Sequence, residues 1–461
     1  MIMACLSKEP DKRPQSARAV AECIGLAATA SAAPASVTPA AQQKIAQVAP
    51  APVSESDQAE APPVIASTPQ EKVRRLAIAG GIAALVIIGV VAWLKFGLPE
   101  GSKHPSAAEP FRTVDTSFDP GTGANVEVRA LAVQKDGKVV VGGRFTLFND
   151  ERHVGFVRLN KDGSVDRTST LQTDGVVWAL ALQPDEKILI AGDFSNVNGE
   201  KHATIARLNS DLTVDPTFDC GSRKQCDIRA ILPTKDKIFV GGPLMIFHDT
   251  KFDRIAQLDM SGNAISGVAR ANGNIWALAM QSNGQIIAGG EFNRVEHAGK
   301  RLHLVRLNAD GEPDVKFAPN PNERVFALAL QPDGKILVGG SFDRISGTQM
   351  RGIARLNPDG SIDKTFNPGS GADSSVQSVA VQTDGKILIG GTFREVDGSK
   401  HDCVARLNAI GTVDQSFAPQ GLTVVVRAIA IAPDGNILIG GGFTNVDGVE
   451  RRSIAELRPK P

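Results

Sequence analysis

The chain has no tyrosine in 461 residues, only five cysteines and seven histidines, and no charge of either sign in excess, with 50 basic against 50 acidic side chains. Each shortage excludes something. A balanced charge removes the electrostatic ground for a nucleic-acid partner. The histidines do not fall at metal-ligand spacing, and neither H-E-x-x-H nor the G-x-S-x-G nucleophile elbow occurs. No catalytic residue, metal or cofactor is therefore expected. Glycine, by contrast, is abundant, with 46 residues.

Composition shifts along the chain. Residues 26–71 are largely Ala, Pro, Ser, Gln and Val and offer few large side chains to bury, which predicts a disordered linker. Leu76–Leu94 then run 19 residues without a charge or a proline. As a helix that run spans about 28 Å, the thickness of a bilayer core. It predicts one membrane span over residues 74–96, with Trp93 at an interface. Lys72, Arg74 and Arg75 precede it and Lys95 follows, so residues 1–75 are expected in the cytoplasm and residues 99–461 outside.

Beyond the apolar run the chain repeats. The glycine that closes "KILVGG" and its relatives stands at Gly143, Gly192, Gly242, Gly290, Gly340, Gly391 and Gly441. A period of ~50 residues repeated this way marks a repeat architecture. Each unit carries four short strand signals, here a to d: "FALAL", "KILVGG", "GIARLN" and "SIDKTF" in the fifth unit. D-G turns such as Asp333-Gly334 and Asp359-Gly360 separate a from b and c from d. The pattern predicts an all-β, seven-bladed β-propeller over residues 111–461; a β-solenoid is the alternative. The last unit ends after strand c, while "TVDTSF" at 113–118 is a strand d with nothing before it. The N-terminal strand is expected to complete the last blade and close the ring.

An Arg and an Asp stand eight residues apart across the c–d turn in five units, as Arg158/Asp166, Arg207/Asp215, Arg306/Asp314, Arg355/Asp363 and Arg406/Asp414. The third unit replaces both together, by Gln257 and Ile265, which points to a structural ion pair. The last unit has Glu456 at the Arg position, so pairing with Asp115 is expected to fail there.

"LQPDGKILVGG" followed by "ARLNPDGSIDKTFNPG" resembles the delta-60 repeat family of bacterial β-propellers. That resemblance implies an extracytoplasmic propeller with no defined catalysis. Residues 1–25, with Cys5-Leu6 and Lys8-x-Pro10-x-x-Arg13-Pro14, resemble the C-terminal end of a bacterial serine/threonine protein kinase domain. Arg13 fits the arginine that pairs in that family with an upstream glutamate, which this chain lacks. The Gly-rich loop, H-R-D and D-F-G motifs are also absent, so no phosphoryl transfer is expected from the chain itself. Together these pieces imply the sensor part of a truncated transmembrane receptor kinase, single-pass, with its N-terminus cytoplasmic and its propeller outside. A structural or adhesive surface propeller and a propeller hydrolase are the alternatives.

The residues that open strand a are Arg129, Trp178, Arg229, Trp276, Phe326, Gln377 and Arg427. They either ring a channel mouth that holds a glycan, an anionic ligand or a protein, or pack between blades. His153, His202, Arg301, His401 and Arg451, in the b–c segments, are expected to form a solvated basic rim, with Lys201, Lys300 and Lys400 just before them. Cys220 and Cys226 flank "GSRKQ" and are a candidate disulfide; Cys403 is expected to be buried.

Overall fold

The computed structural model describes residues 113–458, apart from 169–170, 222–226, 244, 248–249, 266–267 and 269. The kinase-like segment, the linker and the apolar run lie outside the described residues, as does Cys226 of the candidate disulfide. Among the described residues all regular structure is strand, and no helix is long and apolar enough to cross a membrane. The fold is an all-β propeller built from repeated antiparallel sheets.

The fifth unit shows the plan. Strand a (Val325–Leu330) pairs with b (Ile336–Gly340), and b pairs with c (Ile353–Leu356). Among the described residues there are seven sheets of three or four strands and seven separate two-stranded hairpins. Strand b is buried throughout in four units, and in the others only a terminal residue, Asp193, Lys237 or Glu291, departs. Such a strand lies between two others and between two neighbouring sheets, so both of its faces must be apolar.

The first glycine of each "GG" sits where the next unit arrives. A Cβ on Gly339 would stand 2.9 Å from a Val379 methyl, and one on Gly390 would stand 2.6 Å from a Val426 methyl. Gly440, in the last unit, would likewise meet Val128 of the first at 2.6 Å. Phe118 packs in one core with Leu438 and Ile454, joining the two ends of the described chain. There Val114 bridges Leu457 antiparallel, Asp115 N donates to Glu456 O at 2.7 Å, and Arg458 N donates to Thr113 O at 2.7 Å. Asp447 latches the seam, its Oδ2 accepting from Thr113 N at 2.8 Å and Thr113 Oγ1 at 2.6 Å.

Two features differ from the sequence reading. Strand d is mostly a single bridge, such as Leu356 to Ile362, and is a paired strand only in the third unit, at Ala264–Ile265. The cause is the Asp that follows. Asp363 Oδ1 accepts from both Thr365 N (2.9 Å) and Thr365 Oγ1 (2.7 Å), a turn that pulls the backbone off the sheet. In the third unit Ile265 replaces that Asp, and the pairing persists. The second difference lies in the b–c segment, which folds as a hairpin. Arg344–Ile345 pairs with Thr348–Gln349 around Ser346 (φ 50°) and Gly347 (φ 75°).

All five Arg–Asp pairs form, at 2.7–2.8 Å, and they do more than bridge a hairpin. Arg158 Nη1 also donates to Ser210 O of the following unit at 2.6 Å, and Arg207, Arg306 and Arg355 reach Met260 O, Pro358 O and Ala409 O in the same way. Four of the guanidiniums lie over a phenylalanine ring, Arg355 4.8 Å from Phe366. A lysine just before strand b completes the site in four units, as with Lys335 3.1 Å from Asp363. Burial opposes the charge of Asp363, but its turn hydrogen bonds, Lys335 and Arg355 outweigh that and hold the carboxyl well below its usual range. Asp115 departs from the expectation, because Arg458 lies on the same face two residues beyond Glu456 and pairs with it at 2.5 Å.

Removing one partner of a buried pair leaves the other uncompensated. Asp363→Ile alone is expected to cost about 3 kcal/mol in urea denaturation. Combining it with Arg355→Gln, which reproduces the third unit, should cost at least about 1 kcal/mol less than the two single changes summed.

Glu456 is left without an arginine. It is 8% exposed and accepts from Asn436 Nδ2 at 2.5 Å. Burial, with Asp115 and Asp434 nearby, pushes its carboxyl up to about 7 from 4.5. The native state then holds a proton that the unfolded chain releases, so stability falls as pH rises from 4.5 to about 7. Glu456→Gln should be more stable than the wild type by on the order of 1–2 kcal/mol near pH 8 and nearly equal to it near pH 4. A gain of the same size at both pH values would refute this account.

Candidate functional site

The second glycine of each "GG" shapes the mouth. A Cβ on Gly340 would lie 2.2 Å from Arg324 O, and on Gly290 2.0 Å from Asn274 O. Strand a therefore passes closer to strand b than any side chain permits, and it does so with one residue too many. The register slips between Val128 and Ala130, Val177 and Ala179, Ile275 and Ala277, Val325 and Ala327, Val376 and Ser378, and Val426 and Ala428. The bulged residues are Arg129, Trp178, Trp276, Phe326, Gln377 and Arg427. A bulge re-aims a side chain, and here each one leaves the alternation of its strand. Arg229 reaches the same place from just before strand a of the third unit, Ala230–Pro233.

These seven side chains line one open cavity of about 320 Å³, joined by Asp227, Pro243 and Asn274. Trp178 is held between two guanidiniums, Arg129 at 4.8 Å and Arg229 at 4.0 Å from its ring. Trp276 stacks on Phe326, with centroids 4.9 Å apart and planes inclined by 20°. Arg129 pairs with Glu127, and Arg427 reaches the same carboxylate at 3.2 Å while donating to Gln377 Oε1. Arg229 pairs with Asp227. Burial, and then the positive neighbour Arg427, lowers the Arg129 pKa. Burial also opposes the charge of Glu127, but Arg129 and Arg427 outweigh it and hold that carboxyl below the usual range. Arg129 Nε and Trp178 Nε1 are buried with no acceptor.

The solvated basic rim does not form as expected. His401 is 1% exposed, with neither ring nitrogen partnered, and burial lowers its pKa. Arg451 is also buried and donates to Phe118 O at 3.1 Å, while Arg301 donates to Val315 O at 2.6 Å. The curled d segment covers this position and turns its side chains into props; only Lys201, Lys300 and Lys400 beside them are exposed. Cys403 is fully buried, which pushes its thiol up to about 11. Cys220 is buried too, its Sγ 3.9 Å from Ala203 O. Among the described residues no group of three or more His, Cys, Asp or Glu stands together as a metal site.

Six segments of the chain, 134–168, 183–218, 281–317, 331–366, 382–417 and 432–459, match the family described as "Domain of unknown function (DUF5122) beta-propeller". The third unit, which lacks the Arg–Asp pair, is not among them. No curated protein matches the chain. Among solved structures, the WD40 β-propeller domain of Doa1 is similar at 15% identity and a TM-score of 0.51, over 73% of this chain and 95% of that one. The extracellular domain of BT4673 from B. thetaiotaomicron, assigned as a hybrid two component system, aligns at 14% identity and a TM-score of 0.47, over 76% of this chain and 40% of that one. A streptogramin B lyase aligns at 14% identity and a TM-score of 0.44, over 76% and 97%. The likeness to the first is one of fold.

The bulge depends on the missing side chain at the second glycine. Gly340→Ala is expected to destabilise the protein by roughly 2 kcal/mol or more, because backbone must move. Gly347→Ala, at a hairpin tip where an added Cβ meets nothing, should cost only about 1 kcal/mol of backbone strain. Thermal or urea unfolding of the two variants checks the order.

Proposed function

We propose that the chain is a membrane-anchored, extracytoplasmic binding protein. Its seven sheets form a seven-bladed ring closed by the N-terminal strand, and the mouth of that ring holds the ligand. One observation carries the reading. The six candidate residues Arg129, Trp178, Arg229, Trp276, Phe326 and Arg427, scattered over some 300 positions of sequence, line a single open cavity. Five of them sit on strand bulges, which cost ladder hydrogen bonds and serve to aim side chains. Packing between blades would need no such device.

The remaining parts of the proposal come from the sequence. The apolar run 76–94 anchors the chain, the positive flank keeps residues 1–75 inside, and residues 1–25 are the end of a serine/threonine kinase domain. The propeller is then the sensor of a receptor kinase, and this chain performs no catalysis. The partner is a glycan, another small ligand or a protein met outside the cell.

Protease protection tests the arrangement. In intact spheroplasts an antibody to the propeller should lose its signal on external protease treatment. Untreated membranes should show a band well above the size of the 461-residue chain. A protected propeller would overturn the topology. An accessible propeller at the size of the 461-residue chain would overturn the kinase connection and leave an anchored binding protein.

A further inference from the structure

The mouth is not uniform around its rim. Passing from the seventh unit through the first to the third, the lining side chains are Arg427, Arg129, Trp178 and Arg229; the fourth and fifth units then supply Trp276 and Phe326, and the sixth Gln377. One arc is cationic and the facing arc is a flat apolar surface edged by the amides of Asn274 and Gln377.

The cationic arc carries more positive charge than its own carboxylates neutralise. Glu127 is shared by Arg129, Arg427 and the half-exposed Arg144, the last at 3.5 Å and outside the lining, while Asp227 serves Arg229. Three lining guanidiniums therefore face two carboxylates. The excess lies in a partly desolvated opening, where field lines are focused and an anion is attracted. Of the buried lining atoms without a hydrogen-bond partner, Arg129 Nε and Trp178 Nε1 are donors and Asp227 Oδ1 is an acceptor, so donors are in the majority.

The aromatic arc points to the rest of the ligand. A stacked Trp276–Phe326 pair offers a flat π surface, and amides at its margin can donate to and accept from hydroxyls. Carbohydrate rings present that combination, with C–H faces that lie on an indole and hydroxyls at the ring edge. A purely aromatic acid would leave the amides without partners and forgo their specificity. The cavity, at about 320 Å³, has room for about one or two sugar rings.

We propose that this mouth binds an acidic carbohydrate, a sugar whose carboxylate pairs with the Arg129, Arg229 and Arg427 arc while a ring lies on the Trp276–Phe326 arc. The assignment rests on the reading of the mouth as the binding site. It divides the labour between the arcs: the arginines select the charge and the stacked rings select the sugar.

Calorimetric titration of the purified full-length chain in detergent tests it, with digalacturonate, the neutral disaccharide galactobiose and benzoate as probes. Digalacturonate should bind saturably, and galactobiose roughly tenfold or more weakly. Arg427→Gln should weaken digalacturonate binding about tenfold and reduce its salt dependence. Trp276→Ala should weaken both sugars about equally, with circular dichroism showing the fold intact. Equal binding of the two disaccharides, abolished by Trp276→Ala, would overturn the acidic class and keep the mouth as the site. Benzoate binding in place of either sugar, abolished by the same change, would overturn the carbohydrate assignment and again keep the mouth. Digalacturonate binding that neither substitution alters would overturn the mouth itself. No binding of digalacturonate at millimolar concentration would overturn the acidic-sugar assignment.

Discussion

The structure depends on minimal side chains at two adjacent points in strand b, Gly-Gly in every unit but the second, which has Ala191-Gly192. The first glycine of each pair gives its place to the next unit, and the second gives its place to the backbone of strand a. The distances leave no alternative: a Cβ at Gly339 would meet a Val379 methyl at 2.9 Å, and one at Gly340 would meet Arg324 O at 2.2 Å. Neighbouring sheets can therefore nest, and strand a can carry an extra residue where it passes. The bulge follows from that room, and the direction of Arg129, Trp178 or Phe326 follows from the bulge. One dipeptide thus connects the packing of the scaffold to the aim of the site residues.

The polar counterpart of this apolar nesting is the buried arginine. At Arg207, Arg306 and Arg355 it holds its own Asp, lies over its own Phe and donates to a turn carbonyl of the following unit. A buried ion pair is weak ground for net stability, and the third unit shows that the fold persists without one. What the pair supplies is register. Its donors fit only when the turn of the next unit arrives at one height, so it selects a single stacking among many apolar ones. The seam is where this system is thinnest. Glu456 replaces the arginine, Arg458 takes over Asp115, and a carboxyl with a raised pKa remains. The seam between the two ends of the described chain is accordingly where stability falls as pH rises toward neutrality.

Much of this was legible in the sequence, because a repeat multiplies every weak signal. The period, strands a to c, the turn glycines and the Arg–Asp column were all visible in aligned copies. The column that opens strand a also identified the mouth residues. Three things were not legible, for physical reasons. The bulge is a property of pairing register, which a single strand does not contain. Strand d has an apolar alternation like the others, but the hydroxyl two residues after Asp166, Asp215 or Asp363 diverts the chain through a side-chain turn. The rim histidines and arginines sit in polar segments that read as surface, yet His401 and Arg451 are buried and His153, His202 and Arg301 half-buried. The small b–c hairpins did leave a signal, the D-G pairs Asp397-Gly398 and Asp447-Gly448, which take φ of 50° and 70°, and 50° and 79°.

The same logic explains how a monotonous repeat makes a directional site. At the glycines, the Arg–Asp pair and the turns, the units are nearly interchangeable, because each must fit its neighbour. At the bulge the side chain enters the shared cavity, where it meets only the bulge side chains of its neighbours and their partners, and the repeated backbone does not dictate its identity. The sequence there runs Arg, Trp, Arg, Trp, Phe, Gln, Arg, and the ring symmetry of the backbone is broken in chemistry alone. Charge gathers on one arc of the cavity lining and flat apolar surface on the other. Chemical variety in this molecule is thus concentrated in the positions that the repeat leaves free, and the rigid remainder fixes their spacing.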